Sequence, residues 1–145
     1  MKLRSTLTWI AVALMAGFTL GCAGSDLNLG KVSGTVTLDG EPLADAMVIF
    51  TPMTGGRPAA GKTDSKGRYE LIFSRDAEGA MLGEHVVEIT TGDEIVNDDD
   101  TVEMIPEVVP AKYNANTELR AVIEDGANVF DFPLESGGEI AESTE

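Results

Sequence analysis

The chain has one cysteine, one histidine and one tryptophan among 145 residues, and only 10 basic side chains against 25 acidic ones. Each shortage excludes something. Cys22 has no partner cysteine, so no disulfide can brace the fold within one copy. A formal net charge of −15 without Lys/Arg clusters argues against nucleic acid and against an anionic membrane face, because both recruit basic patches. No apolar run reaches the about 20 residues that a spanning helix needs. Internal repeats are also missing. The simplest meaning of the acidity is solubility and mutual repulsion; a sharper one is attraction for cations or basic partners.

What is present begins at the N-terminus. Met1-Lys2-Leu3-Arg4 precedes an apolar run, Thr6 to Leu20, that ends in Gly21-Cys22. A basic start, an apolar middle and a small-residue end are the layout of a cleaved secretory signal. Cys22 stands where the cut falls. The segment resembles a bacterial lipoprotein signal, in which the cysteine becomes the first mature residue and carries the lipid. That family prefers Leu three residues before the cysteine, whereas Thr19 stands there and Leu20 is displaced by one. Ordinary cleavage after Ala23 is the other reading of the same residues. The expected organisation is a signal over 1–21, a polar tether over 22–30, one folded domain over 31–134, and a disordered acidic tail over 135–145 with too little apolar surface to offset its ordering entropy. The expected address is the cell envelope, at the outer membrane or facing the periplasm, with the lipid on Cys22 as the membrane contact.

Within the domain the period is two. Val32, Gly34, Val36 and Leu38 alternate with polar residues, as do Ala46, Val48 and Phe50, then Tyr69, Leu71 and Phe73, then His85, Val87 and Ile89. Leu119, Ala121 and Ile123, and finally Phe130, Phe132 and Leu134, complete the inward set. Asp39-Gly40-Glu41-Pro42 and Asp64-Ser65-Lys66-Gly67 supply turn chemistry, the latter a tight hairpin turn with Asp64 bonding local amides and Gly67 left-handed. From Thr91 to Pro110 the alternation lapses and acids crowd in, which predicts an exposed, mobile loop. Seven short strands at hairpin spacing, with no helical period after the signal, predict an all-β antiparallel sandwich.

Several segments carry a resemblance: VSGTVTLDGEPLADAMVIF at 32–50, GKTDSKGRYEL at 61–71, GEHVVEIT at 83–90 and PAKYN at 110–114. In order and spacing they resemble the carboxypeptidase regulatory-like domain, a transthyretin-like, seven-stranded sandwich with an Ig-like layout. PAKYN followed by a Leu-containing strand resembles a subset of small lipoproteins built on that domain. The resemblance implies a fold and a lipid anchor but no activity, since those lipoproteins have none established. His85 stands where the family usually has an aromatic.

The candidate sites are few. His85 lies on an inward apolar face with no Ser or Cys nucleophile framed near it, so a structural histidine is expected rather than a general base. A lipidated Cys22 has no free thiol. No carboxylate pair is framed by a cleft-forming pattern, and the chain reads as no enzyme, with no cofactor. For metal, Asp98, Asp99, Asp100 and Glu103 are the candidates, with Asp93 and Glu94 nearby. The EF-hand glycine is absent, since no Gly falls between Glu94 and Gly126, and a solvated charge run is the expected reading. Outward Met47, Ile49, Ile72, Val86 and Val122 make a contact patch if they cluster. With Trp9 in the signal, Tyr113 is the one aromatic expected at the surface. The leading function is therefore a lipid-anchored, non-enzymatic envelope protein presenting a β-sandwich for protein or surface contacts. The alternative is a small binding module for calcium or an envelope glycan, using the acidic 92–109 loop.

Overall fold

Alternating side chains make Leu29–Leu38 (β1) the strand on which one of the two main sheets is assembled. The computed structural model describes residues 27–141; residues 1–26, with the signal and Cys22, and residues 142–145 lie outside the described residues. Val32 and Val36 face the interior from β1. Gly34 between them admits a close approach, for a Cβ there would sit 1.8 Å from the Phe130 carbonyl oxygen. Asp39 and Gly40, both at positive φ (53° and 85°), make the two-residue turn into Glu41–Pro42 (β2).

Met47–Pro52 (β3) and Ala59–Lys62 (β4) follow. Next come Arg68–Glu70 (β5), Ile72–Ser74 (β6), Ala77–Glu78 (β7), Ala80–Met81 (β8) and the long Gly83–Thr90 (β9). Asp93–Val96 (β10) and Val102–Ile105 (β11) precede a short 3-10 turn, Ala111–Tyr113. Arg120–Ile123 (β12), Ala127–Val129 (β13) and Phe132–Leu134 (β14) end the series. Among the described residues there is no α-helix, and none therefore long and apolar enough to cross a membrane.

In the first sheet β1 is paired along both edges: with β13 and β14 on one, and with β2, β5 and β8. The second sheet runs β12-β9-β3-β4-β6-β7. Between them lie Val48, Phe50, Val87 and Ile89 from the second sheet and Val36, Tyr69, Leu71, Phe132 and Leu134 from the first, all buried. Phe50 is the hub, its ring centroid 5.8 Å from that of Phe130 and 6.2 Å from that of Phe132. Each large side chain so enclosed contributes about 1.5–3 kcal/mol.

The all-β sandwich expected from the alternation is what forms, and four details differ. First, the described residues hold fourteen strands rather than seven. One expected strand changes sheet at Leu71, because β5 pairs with β1 while β6 pairs with β4. Another breaks at Phe130, whose amide bonds the Ser33 carbonyl at 2.9 Å before β14 resumes. Short pairs in the connections add the rest. Second, the pairing is not wholly antiparallel, since β13 and β14 run parallel to β1. They arrive from β12 in the other sheet, so no hairpin dictates their direction.

Third, the 92–109 region is not an irregular loop. β10 and β11 pair over four residues each, from Asp93↔Ile105 to Val96↔Val102. Fourth, the ends are tied in further than composition suggested. Leu29 and Gly30 of the expected tether pair with β8, and in place of disorder the stretch 135–141 is held to the body. Ser136 bonds the Asp39 carboxylate, the Ala111 amide donates to the Glu139 carbonyl at 2.7 Å, and Ile140 bridges Pro110. Backbone bonding supplies what the tail's few apolar side chains do not.

Candidate functional site

The turn at 97–100 shows why an acidic run can pair. The Asn97 amide bonds the Thr101 carbonyl at 2.9 Å, the Asp100 amide bonds the Asn97 carbonyl at 3.0 Å, and Asp100 sits at φ 62°. The same pattern closes 64–67: Asp64 amide to Arg68 carbonyl at 2.9 Å, Gly67 amide to Asp64 carbonyl at 2.9 Å, Gly67 at φ 72°. Asp and Asn tolerate the left-handed region better than other residues with a Cβ, so Asp100 does without glycine what Gly67 does with it. Asp64 accepts from the Lys66 and Arg68 amides at 2.9 and 3.0 Å, as its place in the turn predicts. Those amide bonds hold its carboxyl below the usual range.

The candidate metal ligands do not converge. The Asp99 carboxylate accepts from the Thr101 hydroxyl and from its amide at 3.1 Å, and these bonds lower its pKa. Asp98, Asp100 and Glu103 are exposed, Glu103 on a strand rather than in the turn. Among the described residues no group of three or more His, Cys, Asp or Glu side chains is placed to hold a metal ion. Cys22 lies outside the described residues.

His85 is 1% exposed. Its Nδ1 lies 3.0 Å from the Gly83 carbonyl oxygen and therefore carries a proton, while Nε2 is buried without a hydrogen-bond partner among the described residues. The ring stands 6.0 Å from Phe50, tilted by 48°. Tyr113 is half-buried rather than exposed: Lys112 Nζ covers its ring at 4.9 Å, and its hydroxyl accepts from the Glu135 amide at 3.2 Å. Little of it is left for stacking on a sugar.

One carboxylate that no motif in the sequence singles out organises this end of the molecule. Glu107 accepts from the Thr90 hydroxyl, from the Thr91 amide and hydroxyl at 2.9 and 2.8 Å, from the Gly92 amide at 3.3 Å and from the Val109 amide at 2.8 Å. It clasps the two strands at the ribbon's base. Burial pushes its carboxyl up, but the bonds from Thr90, Thr91 and Val109 outweigh that and leave the pKa lowered. Two adjacent threonines at a strand end, facing a Glu before Val-Val, were the available signal.

The ribbon above that clasp is exposed on both faces and, among the described residues, pairs with no strand but itself. Register puts Glu94, Val96, Val102 and Met104 on one face and Asp93, Ile95, Glu103 and Ile105 on the other. An open cleft of about 1240 Å³ lies between the ribbon, the outer face of the second sheet at Ile49 and Glu88, and Ile140. Among the described residues no Lys, Arg or His lines it. The outward apolar residues also fall into order. Ile49 pairs with Ala60 and Ala60 with Ile72 across the sheet, while Val86 and Val122 continue the line diagonally, beside Thr51 and Glu84. Ile72 and Val122 are 55% and 58% exposed, so a mixed apolar stripe does cross this face. Met47 sits beside it, between Thr90 and Lys62.

No family model matches the chain, and neither does any curated protein. Among solved structures, a 9R-lipoxygenase from Cyanothece PCC8801 is similar over 74% of this chain, with 14% identity and a TM-score of 0.42. The chain spans 16% of that structure's length.

Proposed function

We propose that the chain is a lipid-anchored, non-enzymatic protein of the cell envelope that presents its β-sandwich for contacts with other proteins. The observation that carries the reading is the acidic ribbon and its cleft: apolar side chains held clear of the core, on a frame clasped by Glu107. The basic start, apolar run and Cys22 support anchoring, and β1 begins at Leu29, close to that cysteine in the sequence. The enclosure of His85 by the core supports a structural role for it. The sandwich is proposed to be of the carboxypeptidase regulatory-like kind, on the strength of the T-D-x-x-G-x-Y residues 63–69 at a turn that uses Gly67 at positive φ. The calcium or glycan alternative has less support, because Asp99 bonds Thr101 and Tyr113 is covered by Lys112.

The test of anchoring is Cys22→Ser. The protein should move from the detergent phase to the soluble fraction, or accumulate uncut. A mature chain that mass spectrometry finds unmodified and beginning at Gly24 would refute lipidation and leave ordinary cleavage after Ala23.

A further inference from the structure

We propose that the β10–β11 ribbon and its cleft dock an extended segment of a partner protein, one that alternates lysine or arginine with apolar residues and adds a third strand to the ribbon. The inference rests on the reading of this chain as a presenting module and names the class of its partner.

Two observations converge on that occupant. Among the described residues the ribbon pairs with no other strand, so within them β10 and β11 each keep one edge of unpaired amides and carbonyls, a template for an extended chain. Its apolar residues are too exposed for a covered surface. Val96, Val102 and Met104 share one face and are 63%, 52% and 57% exposed, and Val96 lies directly opposite Val102. Isolated two-stranded hairpins are marginal in water, and a third strand would supply both the missing bonds and the missing burial.

Charge then selects the sequence of the strand. Glu88, Asp93 and Glu94 border the cleft with no basic neighbour among the described residues of its lining, while Ile49, Ile105 and Ile140 give it apolar surface. A second copy would bring another chain of charge −15 against the first, with acidic ribbon facing acidic ribbon. Anionic lipid and nucleic acid are repelled for the same reason. A strand with basic side chains on one side and apolar ones on the other satisfies rim and floor together, because strand residues alternate in direction.

The test uses the whole protein in detergent and a fluorescein-labelled nine-residue peptide alternating Lys and Val. Anisotropy should show saturable binding that weakens with added salt, and hydrogen exchange should slow at amides within 93–96 or 102–105. A peptide of the same charge interrupted by prolines should bind at least tenfold more weakly, and an alternating Glu–Val peptide should not bind. Met104→Lys, on the ribbon's exposed face, should weaken the Lys–Val peptide at least tenfold, whereas Asp125→Lys in a remote turn should not. Absence of binding, equal binding of the proline-interrupted peptide without added protection, or indifference to Met104→Lys each overturns the proposal. Detergent partition of the same samples reads anchoring separately, so either reading can fail without the other.

Discussion

Replacing Glu107 by Gln tests whether one carboxylate holds the ribbon to the sandwich. The wild-type side chain accepts five hydrogen bonds, three from amides and two from hydroxyls, across Thr90, Thr91, Gly92 and Val109. A carboxamide keeps the shape but turns one acceptor oxygen into an NH2 that faces donors. Hydrogen bonds to a charged group are worth about 1.5–3 kcal/mol each, yet they are not additive and water reaches this half-buried site, so about 2–4 kcal/mol is expected in total. The loss should be centred on the ribbon, because Glu107 bonds residues 90–92 and, of the core residues, Val109. Hydrogen exchange should therefore quicken at Thr91, Val109 and the β10–β11 amides, while the Val48 and Ile89 amides keep their protection. The pH dependence follows from the sign of the shift. Glu107 has a lowered pKa in the fold, so its contribution is complete above the unfolded value of about 4.5 and disappears as pH falls through the lower, folded one. The stability gap between wild type and Glu107→Gln should be constant near neutrality and close in acid. Unchanged exchange at Thr91 and Val109, or a gap that does not narrow as pH falls below the unfolded value, would refute the clasp.

Gly67→Val should cost more than the about 1–2 kcal/mol of left-handed backbone strain, since its Cβ would also meet the Val36 carbonyl oxygen at 2.4 Å; a chemical melt measures it. Asp100→Gly, at the matching position of the other turn, should be neutral or stabilising by up to about 1 kcal/mol in the same assay. Phe50→Ala should cost about 3–5 kcal/mol, because three aromatic rings lose their common neighbour. Asp98, Asp99 and Asp100→Asn together should shift stability by no more than about 0.5 kcal/mol, and calorimetric titration of the wild type with calcium should show no saturable micromolar site.

The sandwich core was readable because burial on one face forces a period of two, and Val48, Phe50, Val87 and Ile89 declare it without help from distant sequence. The turn at Asp64–Gly67 was readable for a similar reason, since its hydrogen bonds are local. What stayed hidden depends on long-range pairing. Nothing in 68–74 states that its first half bonds β1 and its second half β4, because Tyr69, Leu71 and Phe73 alternate smoothly through the change of sheet. The parallel approach of β13 and β14 is equally silent, being set by where β12 ends in the other layer.

The acidic ribbon was missed for a different reason, and that reason bears on its use. Charge density reads as solvation, and glycine is the usual mark of a tight turn; here Asp100 stands where the glycine would, and Asp93, Glu94 and Glu103 sit on strands. Ile95, Val96, Val102 and Met104 carried the signal, two on each side of the turn. Such a ribbon, with free edges and exposed valines, would invite pairing between copies if it were neutral. Asp93, Glu94 and Glu103, on a chain already at −15, make that pairing repulsive and leave the edges open to a strand of opposite charge. The acidity that hides the strands in the sequence thus also disfavours their pairing with a second copy.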